Sequence, residues 1–523
     1  MKVMKRFFLI SVIVLSPAIA SAQHDYKAAR KHIRSGDYKK AIDVCDQRIA
    51  KSPQDSEWVY QKAIAHAQLG KKSEATVLLL KSVQMGVPPG RVAADATDLL
   101  KPIAGSAIIR QILVTQQNLP IQGPMLGSVT DTSARFWVRT SKQATVYAMV
   151  HEKTRTIEPI RSAKIKTSAD QDFTAVVEVT GLKPQTRYYY FIVVDHGFHS
   201  EAFDPKEDDF FYTSPPQGSS TKFSIAFGGG AGYVTKHEHM WDTIGNFKPK
   251  ALLLLGDNMY SDDPTSSTMQ KFCYYRRQSP TAFRKLVERT AVYSIWDDHD
   301  FGTNDCSGGP AVDSPAWKTP VWNTYKQNWV NPGYGGGEKQ PGCWYDFHIG
   351  DVHFIMLDGR YYRDHKTKTM LGPVQKAWAK KTLKDSKATF KIIASPVPWE
   401  FRTKGKSKDT WNGFQGERKE LFDFLAENKV DGVLLMSADR HRSDAWKIDR
   451  PNGYSLYEFN SSRLTNNHVH PEMKEAIFSY NKKQSFGLVE FDTKKDDPTV
   501  RYTAINIDGE KIHTLELKKS QLK

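Results

Sequence analysis

Six short apolar runs, each ending abruptly at a polar or small residue, constrain the fold of this chain most strongly. They are "FSIAF" before Gly228, "ALLLL" before Gly256-Asp257, "AVYSIW" before Asp297, "VHFIML" before Asp358, "FKIIAS" before Pro396 and "VDGVLLMS" before Asp439. Helical patterns such as "GPVQKAWAKKTLKDS" lie between several of them. Apolar strands that alternate with helices are typical of a largely parallel sheet covered by helices. Residues 221–523 are therefore predicted to form an α/β domain, with the strand-like tail making a second sheet stacked on the first.

Acidic side chains and one histidine follow these runs. In open α/β sheets, sites form beyond the carboxyl ends of the strands, and that is the position of Asp257, Asp298, Asp358, Asp439 and His441. Carboxylates brought to one rim repel each other, and metal cations remove that repulsion. Oxygen and imidazole ligands suit Fe, Mn, Zn, Mg or Ca. Any single Asp could instead cap a helix or turn a loop, but five such residues together favour a metal site.

Residues 1–22 are predicted to be an export signal. A basic start precedes an apolar core, Phe7–Leu15, and Ala20-Ser21-Ala22 supplies a cleavage site. The core is shorter than the roughly 18 residues that span a bilayer. The alternative is an uncleaved membrane anchor, which Pro17 and the small residues disfavour. We therefore expect an exported protein, periplasmic or extracellular, with no membrane span after cleavage.

Two further regions precede the α/β domain. Residues 23–112 have apolar positions at helical spacing, and Gly36 and Gly70 punctuate them 34 residues apart, a period that resembles tetratricopeptide repeats. Such a region could be a helical spacer or a docking surface for a protein partner, and we favour the spacer. Residues 118–216 alternate apolar and polar positions, which predicts an antiparallel β-sandwich. Their "GLKPQTRYYYFIV" segment resembles fibronectin-type-III-like modules.

Charge and cysteine usage narrow the choice of partners. The net charge of +16 favours phosphorylated small substrates. The lysines are scattered along the chain, so nucleic acid is not expected as a stable partner.

The four cysteines, Cys45, Cys273, Cys306 and Cys343, form no CxxC pair. Two of the last three could form a disulfide in an exported protein, and the spacing leaves open which two.

Three spaced motifs carry a resemblance to a known family. "LLLLGDNMY" contains a G-D-x-x-Y motif with Asp257 and Tyr260, "IWDDHDFGTNDC" follows, and "SADRHR" contains a D-x-H pair, Asp439 and His441. This ordered pattern is that of metallophosphoesterases. The stretch from about Pro120 to the C-terminus closely resembles the alkaline phosphatase D (PhoD-like) family, with "CYYRRQSP" and "LDGRYYR" as further specific pieces.

This resemblance implies a phosphatase or phosphodiesterase that uses metal-activated water at a dinuclear or multinuclear centre. The ions would be Fe with Ca, or Zn, Mn or Mg. The implied ligands are Asp257, which would bridge two ions, Tyr260 through its phenolate as in purple acid phosphatases, Asp298, Asp439 and His441. His299 would stabilise the transition state or protonate the leaving group.

Other residues near the motifs are expected to support the site. Arg360 is the first candidate for substrate binding, because a guanidinium binds phosphate with two parallel hydrogen bonds, and Asn258 and Arg440 are further candidates. Asp297, Asp300 and Asp358 are expected to orient His299 or a ligand. His468 and His470 form an H-x-H pair that is expected to lie on the surface.

The chain departs from the family pattern in two places. Gly228-Gly229-Gly230 stands where members usually have a cysteine or another ligand, and Ala438 stands where a glycine commonly precedes the D-x-H pair. A glycine-rich turn can expose backbone N–H groups that cradle an anion. The alternative function is therefore a non-catalytic protein that keeps the fold and binds phosphate, another anion or a partner.

Overall fold

The computed structural model describes residues 26–116, 119–152, 158–195 and 209–523. The predicted export signal at residues 1–22 lies outside these ranges. Within them, every helix is too short or too polar to cross a lipid bilayer.

Helices and strands are labelled in chain order. The helices are α1 Lys27–Arg34, α2 Tyr38–Lys51, α3 Ser56–Gln68, α4 Lys72–Gln84, α5 Pro89–Asp95, α6 Ala107–Thr115, α7 Met240–Asn246, α8 Ser267–Arg277, α9 Thr281–Val287, α10 Asp298–Phe301, α11 Lys318–Asn328, α12 Gly372–Asp385 and α13 Gln415–Glu427. The strands are β1 Gln122–Gly127, β2 Ser133–Arg139, β3 Thr145–His151, β4 Ile160–Arg161, β5 Ile165–Lys166, β6 Thr174–Thr180, β7 Arg187–Asp195, β8 Phe210–Tyr212, β9 Lys222–Gly228, β10 Ala251–Leu255, β11 Ala291–Ile295, β12 Tyr345–Ile349, β13 Val352–Met356, β14 Phe390–Ala394, β15 Val433–Ser437, β16 Ser443–Ile448, β17 Leu456–Ser461, β18 Phe478–Tyr480, β19 Ser485–Asp492, β20 Thr499–Asn506 and β21 Lys511–Lys518.

The predicted N-terminal helical region is confirmed as helices α1 to α6. Gly36 and Gly70, which gave the 34-residue spacing, end α1 and α3 with φ values of 74° each. A left-handed residue at this position is the common way to stop a helix, and glycine adopts it without strain. Asp37 then starts α2 by accepting a hydrogen bond from the backbone N–H of Lys40. The tetratricopeptide character of the region stays a prediction.

The helical region is built onto the α/β domain through buried charges. Arg91 of α5 donates from Nη2 to Glu57 Oε1 over 3.0 Å, and Nη1 of Arg276 on α8 lies 3.5 Å from the same oxygen. All three side chains are buried. Because removing one partner of a buried ion pair leaves an uncompensated charge, this contact fixes the helices to the rest of the chain.

Strands β1 to β8 form two packed layers. β1, β2 and β6 make one layer, and β3, β4, β5, β7 and β8 make the other. Phe136 of β2 contacts Tyr190 of β7 across the gap, with ring centroids 4.4 Å apart. β1 also pairs in parallel with β11, Gly127 opposite Val292. The first layer therefore continues the large sheet of the α/β domain, and the predicted boundary near residue 216 is not a break between sheets.

Two stacked sheets form the α/β domain, as predicted. One has the order β21-β20-β19-β9-β10-β11-β1-β2-β6, and the other β12-β13-β14-β15-β17-β16-β18. Strands β9, β10 and β11 run parallel, and so do β13, β14, β15 and β17. Aromatic rings from the two sheets stack between them, such as Phe459 on Tyr502 at 4.6 Å and Tyr293 on Phe347 at 3.7 Å. This packing brings the carboxyl ends of both parallel sets to one side.

All four cysteines are free thiols. The disulfide considered for two of Cys273, Cys306 and Cys343 is therefore not formed in this structure. Cys273 lies buried on α8, where its Sγ accepts a hydrogen bond from the guanidinium of Arg30.

Candidate metal centre

A cavity of about 440 Å³ opens where the tips of β10, β11 and β15 meet. Seven of the twelve predicted site residues line it: Asp257, Tyr260, Asp298, His299, Asp439, Arg440 and His441. The other five, Asn258, Asp297, Asp300, Asp358 and Arg360, are buried outside this lining. The convergence follows from topology, because neighbouring parallel strands such as β10 and β11 deliver their next residues to the same edge.

Three of these seven predicted residues have left-handed backbones. The φ values are 53° at Asp257, 64° at Asp439 and 43° at His441. Such values are uncommon for residues other than glycine, although Asp and His tolerate them better than most. Strained backbones of this kind cost about 1–3 kcal/mol each and concentrate at functional sites. Here they turn the chain sharply after β10 and β15, at the wall of the cavity.

Asp257 and His441 each have a buried atom that could bind a metal ion and that has no hydrogen-bond partner in the protein. Tyr260 donates from Oη to Asp257 Oδ2 over 2.9 Å, and Asn466 donates to Tyr260 Oη over 2.7 Å. Asp257 Oδ1 and His441 Nδ1 are buried without a hydrogen-bond partner. A buried polar atom left unpaired is costly, and a cation would satisfy both. This donor chemistry fits the metal ions that the sequence implies.

Electrostatics at the acids favour a bound cation. Burial raises the pKa of Asp257 well above its ordinary value, and Asp298 and Asp300 raise it further. Ligand atoms of Asp257, Asp298 and His299 lie within 4.8 Å of one another, and those of Asp298, Asp305 and Asp409 form a second such group. Asp305 belongs to the acidic cluster after β11 but was not among the predicted ligands, and Asp409 was not predicted at all, because it lies in a loop that follows no strand end.

His299 is held by a carboxylate that the sequence analysis missed. Its Nδ1 contacts Asp262 Oδ1, and its ring lies 4.4 Å from that of Tyr260. Burial acts to lower the pKa of His299, but the negative charges of Asp257, Asp298 and Asp262 outweigh it and raise the pKa to about 10. These charges favour the protonated form of the imidazole. The signal was the Asp262-Asp263 doublet, which follows the G-D-x-x-Y motif after one residue, Ser261.

The acids outside the lining hold the loops of the site. Asp300 accepts hydrogen bonds from the backbone N–H groups of Asn258 at 2.9 Å and Met259 at 3.0 Å. Asp358 accepts from Trp296 Nε1 and from the backbone N–H of Arg360, both at 2.8 Å. Asp300 and Asp358 therefore hold the loops around the site in place. The carboxylate that contacts the His299 ring is that of Asp262.

The prediction that Arg360 binds substrate is wrong. Arg360 is fully buried, and its Nη1 and Nη2 donate to the two oxygens of Asp409 over 2.7 and 3.1 Å. Its Nε donates to Asp297. The guanidinium therefore pairs with carboxylates of the protein itself, and Arg360 neutralises these buried charges.

Asn258 lies outside the cavity lining, and its role in substrate binding stays a prediction. Its side chain is fully buried and donates to the carbonyl of Ile295 over 2.8 Å. Arg440 does line the cavity, and its role in substrate binding stays a prediction.

The glycine turn after β9 binds protein, not an anion. Gly229 donates its N–H to the carbonyl of Ser461 over 3.1 Å, and Gly230 donates to that of Gly256 over 3.2 Å. A Cβ at Gly228 would lie 2.8 Å from Leu464, and one at Gly230 would lie 2.9 Å from the backbone nitrogen of Arg463. The glycines therefore let segment 461–466 approach the strand tips.

The loop that follows this segment brings two more imidazoles to the cavity. The rings of His468 and His470 lie 4.9 and 5.2 Å from the ring of His441. His470 is held through Nδ1 by the carbonyl of Arg440 at 2.9 Å. His468 is exposed and His470 is half-buried, as expected for surface residues, and both also line the cavity.

The two departures from the family pattern meet in space. A Cβ at Gly229 would lie 2.6 Å from the Cβ of Ala438 and 2.9 Å from the carbonyl oxygen of Gly256. The methyl group of Ala438 thus fills the room that a side chain at position 229 needs.

We predict that Gly229→Ala lowers the free energy of unfolding by about 1–3 kcal/mol, because it overpacks this contact. Adding Ala438→Gly should recover part of the loss, as measured by urea denaturation of the single and double variants. Gly416→Ala is the control, because a Cβ there meets open space in a helix. Equal stability of the Gly229→Ala and Gly416→Ala variants would contradict the prediction.

Most of this chain resembles known protein families. The family model for PhoD-like phosphatase matches residues 223–516, and a domain of unknown function (DUF7800) matches residues 117–214. The alkaline phosphatase D of Bacillus subtilis (strain 168) is 22% identical over 325 residues, which cover 51% of this chain and 53% of that protein. This chain therefore spans about half the length of the curated relative it matches.

Two solved structures share the fold. The structure of PhoD has a TM-score of 0.63 and 15% identity, covering 76% of this chain and 90% of that one. The purple acid phosphatase PPD1 from yellow lupin (Lupinus luteus) seeds has a TM-score of 0.57 and 12% identity, covering 76% and 75%. Helices α1 to α6 precede both matched family segments. With more than half of its residues matched by the family model, this chain belongs to the PhoD-like phosphatase family.

Proposed function

We propose that this protein is an exported metal-dependent phosphoesterase that hydrolyses phosphate esters at a dinuclear or multinuclear centre. The observation that carries the proposal is the convergence of acids, a tyrosine and histidines in one cavity, with Asp257 Oδ1 and His441 Nδ1 buried and unpartnered. Export rests on the sequence of residues 1–22. The match to half of a curated alkaline phosphatase D supports the reaction class.

The residues proposed to hold the ions are those implied by the resemblance: Asp257, Tyr260, Asp298, Asp439 and His441. Bound ions would polarise the phosphate ester and lower the pKa of water at the site. Oxygen and nitrogen donors without a thiolate suit Fe with Ca, or Zn, Mn or Mg. His468 and His470 add nitrogen atoms beside His441, where the glycine turn supplies no side chain.

The protein's own groups are proposed to bind the ester and move a proton. His299 is held through Nδ1 by Asp262 and in its protonated form would donate its other ring proton to the oxygen of the leaving group. Arg440 and Lys404 also line the cavity, and the Lys404 ammonium lies 3.5 Å from Asp305 and 3.9 Å from Asp439. These cations would bind phosphate oxygens.

The non-catalytic alternative rested on the missing side-chain ligand at Gly228–Gly230 and on the helical region as a docking surface. The N–H groups of Gly229 and Gly230 are bonded to protein carbonyls, so the turn is no anion cradle. Metal analysis distinguishes this alternative from hydrolysis, because fewer than one bound ion per chain would favour it.

Elemental analysis and ester hydrolysis on one sample test the proposal. We expect about two metal ions per chain, with turnover of p-nitrophenyl phosphate or bis-p-nitrophenyl phosphate that chelation abolishes and the returned metal restores. The ratio of the two rates assigns monoester or diester preference. Fewer than one bound ion per chain together with no turnover would overturn the proposal.

A further inference from the structure

Helix α1 contacts segment 260–263, which begins at the last residue of the G-D-x-x-Y motif. Three of its basic residues, at positions 27, 30 and 34, share one helix face, because residues three or four apart lie above one another. The contacts are an ion pair of Lys27 with Asp262 at 2.7 Å, a hydrogen bond from Arg30 Nη1 to the Tyr260 carbonyl at 2.8 Å, and an ion pair of Arg34 with Asp263. Segment 260–263 is therefore held along its whole length by a helix more than 220 residues earlier in the chain.

Asp262 connects this helix to the histidine of the cavity. Its Oδ1 contacts His299 Nδ1, and its Oδ2 pairs with Lys27 Nζ. Lys27 also lies over the ring of Tyr260, 5.5 Å from its centroid. A carboxylate fixed at one oxygen presents the other in a defined direction, so Lys27 sets how Asp262 meets the imidazole.

The position of α1 is itself fixed. Tyr26, just before the helix, packs against Trp58 with ring centroids 4.9 Å apart and donates from Oη to Asp55 over 2.8 Å. Arg30 is buried, and the buried charges of Glu57, Arg91 and Arg276 tie the next helices to α8. Tyr26, Lys27 and Arg30 all line the cavity.

We propose that helix α1 is part of the active site and that Lys27 is a positioning residue, which orients His299 through Asp262. This inference rests on the proposed function. It gives the helical region a role inside the molecule, where the sequence suggested a spacer or a docking surface. Both family matches begin after α6, so the helix side of this contact lies in the part of the chain that they do not cover.

Three variants test the inference: Lys27→Met, Lys27→Arg and the control Lys39→Met, whose side chain is exposed on α2. Loss of a residue that orients a catalytic group typically costs 10–100-fold. We expect Lys27→Met to lower kcat about tenfold with KM changed less than about twofold. Lys27→Arg should recover most of kcat, and Lys39→Met should match the wild type. Melting temperatures of all variants should agree, because the Lys27 side chain is 40% exposed.

Each contrary outcome has a distinct meaning. Equal kcat in Lys27→Met and Lys39→Met, or no recovery in Lys27→Arg, would overturn the inference. A raised KM with unchanged kcat would also overturn it, because Lys27 would then bind substrate directly.

A protein that binds metal but hydrolyses no ester would end the proposed function and leave this inference open to a separate measurement. In that case the NMR signal of the His299 ring, assigned with His299→Asn, should shift in Lys27→Met and stay in place in Lys39→Met. An unmoved signal would refute the contact.

Discussion

Replacing Asp257 with asparagine is expected to remove hydrolysis of both p-nitrophenyl phosphate and bis-p-nitrophenyl phosphate. Metal ions supply several kcal/mol of transition-state stabilisation, so losing them lowers kcat/KM by about 10³-fold or more. Asp257 lines the cavity; its Oδ2 accepts a hydrogen bond from Tyr260, and its Oδ1 is buried without a hydrogen-bond partner. The substitution keeps the shape of the side chain but removes its charge, so bound metal should fall with the rate.

The measurement pairs steady-state kinetics with elemental analysis of the same preparation. Asp385→Asn is the control, because this exposed acid pairs only with Lys381 at the end of α12 among the contacts described for it. Undiminished turnover in Asp257→Asn with a full complement of metal would rule out the proposed centre.

Replacing Arg360 with methionine is expected to cause the largest loss of stability. The guanidinium is fully buried between Asp297 and Asp409, and removing one partner of a buried ion pair costs about 3–5 kcal/mol. Urea denaturation should show this loss, and the added substitution Asp409→Asn should recover part of it. Arg501→Met is the control, because Arg501 pairs with Glu516 on the surface, where such pairs contribute about 0–1 kcal/mol.

The same ion network predicts a response to acid. Burial alone raises the pKa of Asp409, but Arg360 and Arg363 outweigh it and hold the pKa well below its ordinary value of 3.8. A lowered pKa in the folded state stabilises the protein above pH 3.8, and this contribution is lost as the pH falls through the folded-state value. Arg360→Met should therefore lose less stability than the wild type between neutral pH and strong acid. Parallel acid titrations would contradict this assignment.

Local pattern was sufficient to predict the frame of the site. The apolar runs ending at Asp257, Asp297 and Asp439 marked buried parallel strands, and parallel strands deliver their following residues to one edge. The two stacked sheets were predicted from these runs and from the strand-like tail, and the helical N-terminal region from apolar residues at helical spacing. The sandwich was predicted too. The pairing of β1 with β11, which joins the sandwich to the large sheet, was not predicted, because the sequence of a strand does not show which strand of another domain it pairs with.

The tertiary structure decided the roles of individual charges. Arg360 and Lys27 are both basic residues near acidic motifs in the fold, yet one is buried as a counter-charge and the other lies at the cavity wall. Asp262 and the pair His468 and His470 gained their places from loops, whose paths depend on what they pack against. The glycines at 228–230 looked like an anion cradle until the structure placed segment 461–466 on them.

By itself the sequence determined which residues stand at strand ends and hence which donors could surround a metal ion, because strand periodicity and chain order are local properties. Only the tertiary structure decided which charge each donor meets. That choice depends on distances between segments remote in sequence, such as α1 and the loop after β10, and burial then sets how strongly each pair interacts.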